Sequence, residues 1–313
     1  MIVRDRPSGI KMFLLLRGSV LPRILPALIV NTLIATIVTL SHGDLFKLKI
    51  TLTTIPFTLI GLPLAIFLGF RNNTAYARFW EGRRLWGEIV CKGKILSRQC
   101  QSLVQSDMVA DAKNGLIDIR IRMIYRSIAF AHALRHYLRD TSPDEEVSEL
   151  LLPNEFQELR GFSNKPDFLL LKMGMDLGQL LRDKKVDSNI AVAIDSTISD
   201  MSSAAAACER IKTTPIPFSY TLLLHRTAYI YCFLLPFGLV DSIGFMTPFV
   251  VAIVAYTFFG LDALGDEIEE PFGMESNDLP LNGICRAIEI NLRESVHDQH
   301  SPPVLEPVNY CLS

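Results

Sequence analysis

The sequence has little of what a soluble enzyme or a nucleic-acid-binding protein needs. Its six cysteines (Cys91, Cys100, Cys208, Cys232, Cys285 and Cys311) never fall into Cys-x-x-Cys spacing. That argues for isolated, reduced thiols and against a thiolate metal site. No Gly-x-Ser-x-Gly elbow and no phosphate-cradling glycine loop occurs, so the usual frameworks for acyl and phosphoryl transfer are missing. Neither sign of charge is in excess: 31 Lys and Arg face 33 Asp and Glu, a formal net charge of −2. Bulk electrostatics therefore predict no nucleic-acid partner and no general attraction for anions. His132 and His136 stand four apart, either as a surface metal pair or as ordinary helix residues, and His225 beside Glu267 or Glu269 is the remaining acid–base candidate. No catalytic residue, metal site or cofactor is assigned, and the chain is read as a non-enzyme.

What is abundant is uncharged length. Ile24–Ser41, Thr51–Phe70 and Ser242–Leu261 contain no Asp, Glu, Lys or Arg. Each is long enough to cross a hydrocarbon core of roughly 30 Å at about 1.5 Å per residue. A fourth run, Pro215–Val240, is interrupted by His225 and Arg226, so that arginine is expected to face protein or lie near the membrane surface. Asp241 to Gly244 leave only a tight turn between the last two spans. Mean hydropathy of +0.28 with 20% charged residues suits neither a purely membranous bundle nor a soluble domain, so a sizeable polar part must accompany the spans.

Arg71, Arg78, Arg83, Arg84, Lys92, Lys94 and Arg98 follow the second span, whereas the last hairpin loop has no Lys or Arg. The positive-inside rule then places both termini and the central region in the cytoplasm, with Lys47 and Lys49 of the first loop as the exception. Met12 to Leu16 is too short for a signal-peptide core. Arg4, Arg6, Lys11, Arg17 and Arg23 around it make an interfacial lead-in, with a frayed basic tail as the alternative for residues 1–10. The expected organisation is an all-α membrane protein: 1–23 N-terminal segment, 24–70 two spans, 71–214 helical cytosolic domain, 215–261 two more spans, 262–313 C-terminal segment and tail.

Within the polar region, Ile117, Ile121, Ile124 and Ile128 form one helical stripe, with Arg120, Arg122 and Arg126 elsewhere on the surface. Ile194, Ile198, Met201, Ala205 and Cys208 form another, and both read as packing cores. Residues 140–166 read as a variable connection with a short helix. Pro302, Pro303 and Pro307 predict a mobile or extended tail.

The segment from Phe67 to Trp86 carries the sharpest signal. Leu62, Ile66 and Phe70 recur every fourth position beside a small stripe of Gly61, Ala65 and Gly69. A bulky stripe next to a small one suits close packing of helices about a shared axis. The same stripe also reads as a lipid-facing or helix-packing surface, and periodicity does not choose. These residues resemble the bestrophin family, including its bacterial branch of anion-channel proteins. The resemblance rests on Pro63, Leu68-Gly69-Phe70 and Arg78-Phe79-Trp80, then Pro215-Ile216-Pro217-Phe218, Leu224-His225-Arg226 and Glu270-Pro271-Phe272-Gly273. It runs from about Leu15 to about Asn291, and the order and spacing of its motifs make it specific.

The resemblance implies a homopentameric ion channel whose subunits surround one central pore in the cell inner membrane. Leu62, Ile66 and Phe70 align on the pore neck, with Gly61, Pro63, Ala65 and Gly69 packing the neck helices. Val192 aligns on a cytosolic aperture, with Ile190 and Asn189 as alternative matches, and Asp195 one turn on is a candidate vestibule charge or an ordinary solvated residue. The partners are the lipid bilayer, permeant monovalent ions and identical subunits. Eukaryotic relatives conduct chloride, whereas the bacterial branch leans to monovalent cations, so selectivity stays open with cations slightly ahead. The calcium-binding acidic run of animal members is reduced here to Glu275 and Asp278, with Asp278 available to cap a helix beginning near Leu281. A secondary transporter is the alternative, hinted at only by Pro56, Pro63 and His225-Arg226.

Overall fold

The computed structural model describes residues 1–3, 9, 15–16, 18–41, 44–45, 48–49, 52–106 and 108–312. Arg4, Arg6, Lys11, Arg17 and Lys47 of the expected lead-in and first loop lie outside the described residues, as do Met12 to Leu14. The helices run in the order α1 (Leu21–Leu40), α2 (Thr54–Leu103), α3 (Ile119–Leu138), α4 (Asp144–Val147), α5 (Pro153–Arg160), α6 (Lys165–Arg182), α7 (Ser188–Thr213), α8 (Phe218–Ile243), α9 (Thr247–Glu269) and α10 (Leu281–Ser295). The strands among the described residues are β1 (Asp44–Leu45) and β2 (Leu48–Lys49), an antiparallel pair.

The chain divides into two compact units. One holds Arg4–Phe79 and Pro215–Glu270; the other holds Met1–Val3, Trp80–Thr214 and Pro271–Ser313. Among the described residues, three stretches are long and apolar enough to cross a membrane: Leu21–Leu40, Thr54–Leu103 and Phe218–Glu269. The third contains both α8 and α9, so four apolar helices arise where the uncharged runs stand. Their turn comes later than Asp241–Gly244. Helix α8 continues through Ile243, Gly244 adopts φ 52°, and a 3-10 turn over Gly244–Met246 leads into α9. Glycine takes that left-handed backbone without Cβ strain, and Pro248 suits the first turn of the next helix.

In the first unit α1 packs on α8 and α9. Ile24, Cys232, Ala255, Phe259 and Ala263 form one buried cluster, Ala35, Phe57, Leu235 and Val251 a second, and Leu64, Leu68, Leu224 and Ala228 a third. Helix α2 is held in register by a buried ionic cluster. The Arg71 side chain is fully enclosed; its Nη1 donates to Asp262 Oδ1 at 2.8 Å, its Nη2 to Asp266 Oδ1, and Glu269 Oε2 lies 3.7 Å away. Asn72 donates to the Leu261 carbonyl at 3.0 Å, and Arg78 Nε donates to the Glu269 carbonyl at 3.1 Å. A Cβ at Gly265 would stand 2.5 Å from Asn72 Oδ1, so a glycine is needed for α9 to come this close. Helix α9 thus runs eight residues past the expected end at Leu261, because its acidic turns face Arg71.

The other unit is built round α3, which packs on α6 and α10 while α6 packs on α7. Ile121, Ile124 and Ile128 are buried, as are Ile194, Ile198, Met201, Ala205 and Cys208 on α7. Ile117 is not part of that core. It is 86% exposed at the end of a 3-10 turn, and α3 starts only at Ile119 behind the Asp118 cap, whose Oδ1 accepts from the Arg120 amide at 2.9 Å. Arg120 and Arg126 are buried rather than on the surface. Arg126 forks onto Glu155 at 2.6 and 3.0 Å and reaches Asp176 at 2.7 Å, and Arg120 grips Asp118 at 2.7 Å. A guanidinium can be enclosed when planar carboxylates meet its fork. Residues 140–166 hold two helices, α4 and α5, rather than a single short one. Asp278 does not cap α10; Pro280 stands at the cap, and Asp278 Oδ2 instead accepts from the Glu275 amide at 2.7 Å. The tail is extended: the Val3 amide donates to the Tyr310 carbonyl at 2.8 Å and the Leu312 amide to that of Met1 at 2.9 Å.

His132 and His136 are not a surface pair. His132 is buried, with Nδ1 2.6 Å from Glu146 Oε2 (a close ionic contact rather than an aligned hydrogen bond) and Nε2 3.2 Å from Glu289 Oε2. Burial pulls the His132 pKa down, but Glu146 and Glu289 outweigh it and the net direction is up. His132 and then His136 hold the Glu146 carboxyl well below the usual carboxylate range. At Glu289 burial pushes upward, yet His132 and Arg293 win and its pKa is lowered.

Two outcomes follow. The raised histidine stabilises fully below about pH 6.5 and loses that contribution as pH rises through its folded pKa, while the lowered carboxylates contribute fully above about pH 4.3 and lose it on acidification. The cluster's contribution to the thermal midpoint is therefore largest between about pH 4.3 and 6.5, and His132→Gln flattens the alkaline limb in a pH series of melting curves. Replacing Arg71 by Leu strands enclosed carboxylates and costs about 3–5 kcal/mol; the melting temperature in detergent drops sharply, and adding Asp262→Asn recovers part of the loss.

Candidate functional site

Helix α2 begins at Thr54 with Pro56 in its first turn, where a missing amide proton costs nothing. Pro63 removes one further rung, the bond to the Leu59 carbonyl. The side chains then sort by face. Phe57, Leu64, Leu68, Arg71 and Ala75 are buried against the rest of their unit. Leu62, Ile66 and Phe70 lie on the opposite arc and are 67%, 48% and 61% exposed, with Ile55 and Leu59 continuing the same apolar stripe. Arg71 fixes the helix rotation that produces this division, since its guanidinium can be satisfied only on the buried side.

The four positions expected to pack neck helices separate. Gly61 is half-buried against this chain's own Tyr231: a Cβ there would stand 2.8 Å from the Tyr231 hydroxyl. Tyr231 is itself wedged edge-on between Phe57 and Phe258, at 5.9 and 5.2 Å between ring centroids. Pro63, Ala65 and Gly69 are exposed, and nothing lies within 4 Å of a Cβ built at Gly69. Phe70 meets Phe67 edge-on at 6.5 Å, and Phe67 meets Tyr220 in the same way. The Tyr220 hydroxyl donates to the Phe67 carbonyl at 3.2 Å, which ties α8 to α2 beside the stripe.

In the other unit Val192 is 69% exposed on α7, with Asp195 exposed on a neighbouring part of the same helix. Asn189 is exposed and Ile190 half-buried. The first turn of α7 is capped by Asp187, whose Oδ1 accepts from the amides of Asn189 and Ile190 at 2.7 and 3.1 Å.

His225 pairs with neither Glu267 nor Glu269. Its Nδ1 lies 2.6 Å from Asp262 Oδ2, because the packing of α8 on α9 brings Asp262 level with it, and Glu269 Oε1 accepts from the Ile216 amide at 3.0 Å. Arg226 is exposed within this chain. No group of three His, Cys, Asp or Glu side chains is gathered to hold a metal among the described residues. The residues that sequence reasoning undervalued are Arg71, Asp262 and Asp266. Their signal was present: a charge abutting twenty uncharged residues must find partners or reach water.

The family model described as bacterial and fungal bestrophin protein matches residues 1–294. A protein of Mesorhizobium japonicum named as a voltage-dependent anion channel-forming protein is 40% identical over 308 residues, which cover 98% of this chain and 95% of that one. An Escherichia coli K12 protein of the same name is 37% identical over 308 residues, covering 98% of each. A crystal structure of a bacterial bestrophin homologue from Klebsiella pneumoniae superposes with a TM-score of 0.81 at 37% identity, covering 88% of this chain and 99% of that one. An apolar four-helix unit, a second helical unit, an exposed stripe on α2 and similarity along nearly the whole length agree: this chain belongs to the bacterial and fungal bestrophin family of membrane ion channels.

Proposed function

We propose that several identical copies, five on the family pattern, surround one axis and line a pore neck with Leu62, Ile66 and Phe70. The observation that carries this reading is the division of α2 into a face that packs within its own chain and an opposite apolar face left uncovered. One helix cannot enclose a pore, but copies sharing an axis stack three apolar rings about one helical turn apart, roughly 5–6 Å. Water confined in such a tube loses hydrogen bonds, and the tube dries and blocks ions until it widens. The gate works by exclusion, without chemistry. Ala65 and Gly69, open beside the stripe, leave room for a neighbouring copy to approach.

A neck without ionisable groups does not by itself distinguish an anion from a cation. The names of the relatives favour anions. The cation reading rests on Asp195, exposed near Val192 on α7, which would repeat as an acidic ring if α7 lines the conduit. We take the permeant species as small monovalent ions, with the aperture at Val192. The reading places the protein in the cell inner membrane with both termini in the cytoplasm, as the basic residues after the second span suggest. Passage in unitary current steps would separate a channel from a saturable transporter.

Purified protein in planar bilayers tests the neck. Ile66→Ala enlarges and wets the constriction, so unitary conductance or open probability rises severalfold. Val192→Asp shifts the reversal potential in asymmetric salt more than Ile66→Ala does, and wild-type reversal gives the sign of the permeant ion. Unchanged currents in both variants would remove Leu62, Ile66 and Phe70 from the pore.

A further inference from the structure

Midway along α1 an asparagine is enclosed without a partner. Asn31 is 0% exposed, and among the described residues neither its Nδ2 nor its Oδ1 meets a hydrogen-bonding atom. It shares one face of the helix with Ile24, Ala35 and Val38, all of them buried, so the amide is turned inward rather than toward lipid. The threonines of the same helix are satisfied: the hydroxyls of Thr32, Thr36 and Thr39 donate to the Leu28, Thr32 and Ala35 carbonyls at 2.8, 2.8 and 2.7 Å. An amide left alone in such a place is costly and calls for a ligand.

Two apolar clusters bracket it. On one side Leu28 packs with Ile24, Cys232, Ala255 and Phe259; on the other Ala35 packs with Leu235 and Val251. Asn31 lies between Leu28 and Ala35, so it stands level with residues 232–235 of α8 and 251–255 of α9. The α9 stretch reads Val-Ala-Ile-Val-Ala and carries no polar side chain. The α8 stretch holds an opened rung. Pro236 lies inside α8 and has no amide proton to give to the Cys232 carbonyl. Cys232 and Pro236 are both buried, so that carbonyl is released on the packed face of α8 and not toward lipid. The Cys232 thiol is free and enclosed as well. Ala27, Ala35, Ala255 and Cys232 are small, which leaves room where the three helices meet.

A side-chain amide on one helix and a released carbonyl on the next are what a buried water molecule joins. We propose that one water is bound at mid-span between α1 and α8, accepting from Asn31 Nδ2 and donating to the Cys232 carbonyl, with the thiol as its third partner. An ion does not fit, since no Asp, Glu, Lys or Arg occurs in residues 28–35, 232–235 or 251–255 to balance an enclosed charge. The water closes the gap in the α8 ladder and ties α1 to α8. It supports the part of α8 that carries Tyr231, the residue wedged against Gly61 of α2. The bridge does not depend on which residues line the neck.

Radiolytic footprinting of the full chain in lipid nanodiscs tests the site, because hydroxyl radicals made from a bound water oxidise the side chains beside it. Cys232 is oxidised severalfold faster than Cys285, which is equally buried in the other unit. Iodoacetamide added from solution leaves Cys232 unmodified in folded protein and labels it after denaturation, so the oxidant does not enter through transient opening. Asn31→Leu lowers Cys232 oxidation to the Cys285 level. Pro236→Ala, which restores the rung, does the same without touching Asn31. Wild-type oxidation of Cys232 no faster than that of Cys285 overturns the inference in favour of a dry seam. Alkylation of Cys232 in folded protein, or fast oxidation that survives either substitution in protein eluting like wild type, overturns it too. If Asn31→Leu does not fold, the wild-type ratio and Pro236→Ala decide.

Discussion

A guanidinium with no solvent exposure dictates the arrangement of the apolar unit. Arg71 must be met by carboxylates, and among the described residues the last turns of α9 provide them. Breaking such an enclosed pair from one side strands the other charge, which is far more costly than an exposed ion pair is worth. The cluster thus acts as a rotational key. With Arg71 turned inward, Leu64 and Leu68 enter the core, and Leu62, Ile66 and Phe70 have no option but to point out.

Ionic keys recur in the second unit, where Arg126 joins α3 to α5 and α6 through Glu155 and Asp176. His132 joins α3 to α4 and α10 through Glu146 and Glu289. In each case a side chain usually assigned to solvent sits deep between helices, with fork geometry or two-sided contact compensating its desolvation. Helices of modest hydrophobicity are in this way given one specific register, which greasy contacts alone would leave degenerate.

Much of the fold was legible in the sequence because lipid imposes a blunt rule: a crossing helix must be long and nearly free of charge. The four spans follow from that rule. The isoleucine stripe of α3 and the Ile194-to-Cys208 stripe of α7 are equally readable, since burial repeats with the helical period. Helical periodicity assigns Arg120 and Arg126 to the surface and Ile117 to the core, yet Arg126 finds carboxylates remote in sequence at Glu155 and Asp176, Arg120 folds back onto the helix-capping Asp118, and Ile117 precedes the true helix start at Ile119. The role of the acidic residues after Leu261 was hidden by distance along the chain, as their cationic partner, Arg71, stands 191 residues away from Asp262. The stripe itself was visible, but whether it faced outward could be known only once the opposite face had found its neighbours.

The seating of Tyr231 against Gly61 has one more implication. Any side chain at Gly61 must displace a ring already wedged between two others, so the inner side of α2 is locked against change. The outer side is largely exposed. On the proposed pore reading, bore and foldability would be inherited separately: a lineage could widen, narrow or roughen the passage by single replacements at Leu62, Ile66 or Phe70 without disturbing the fold of the subunit.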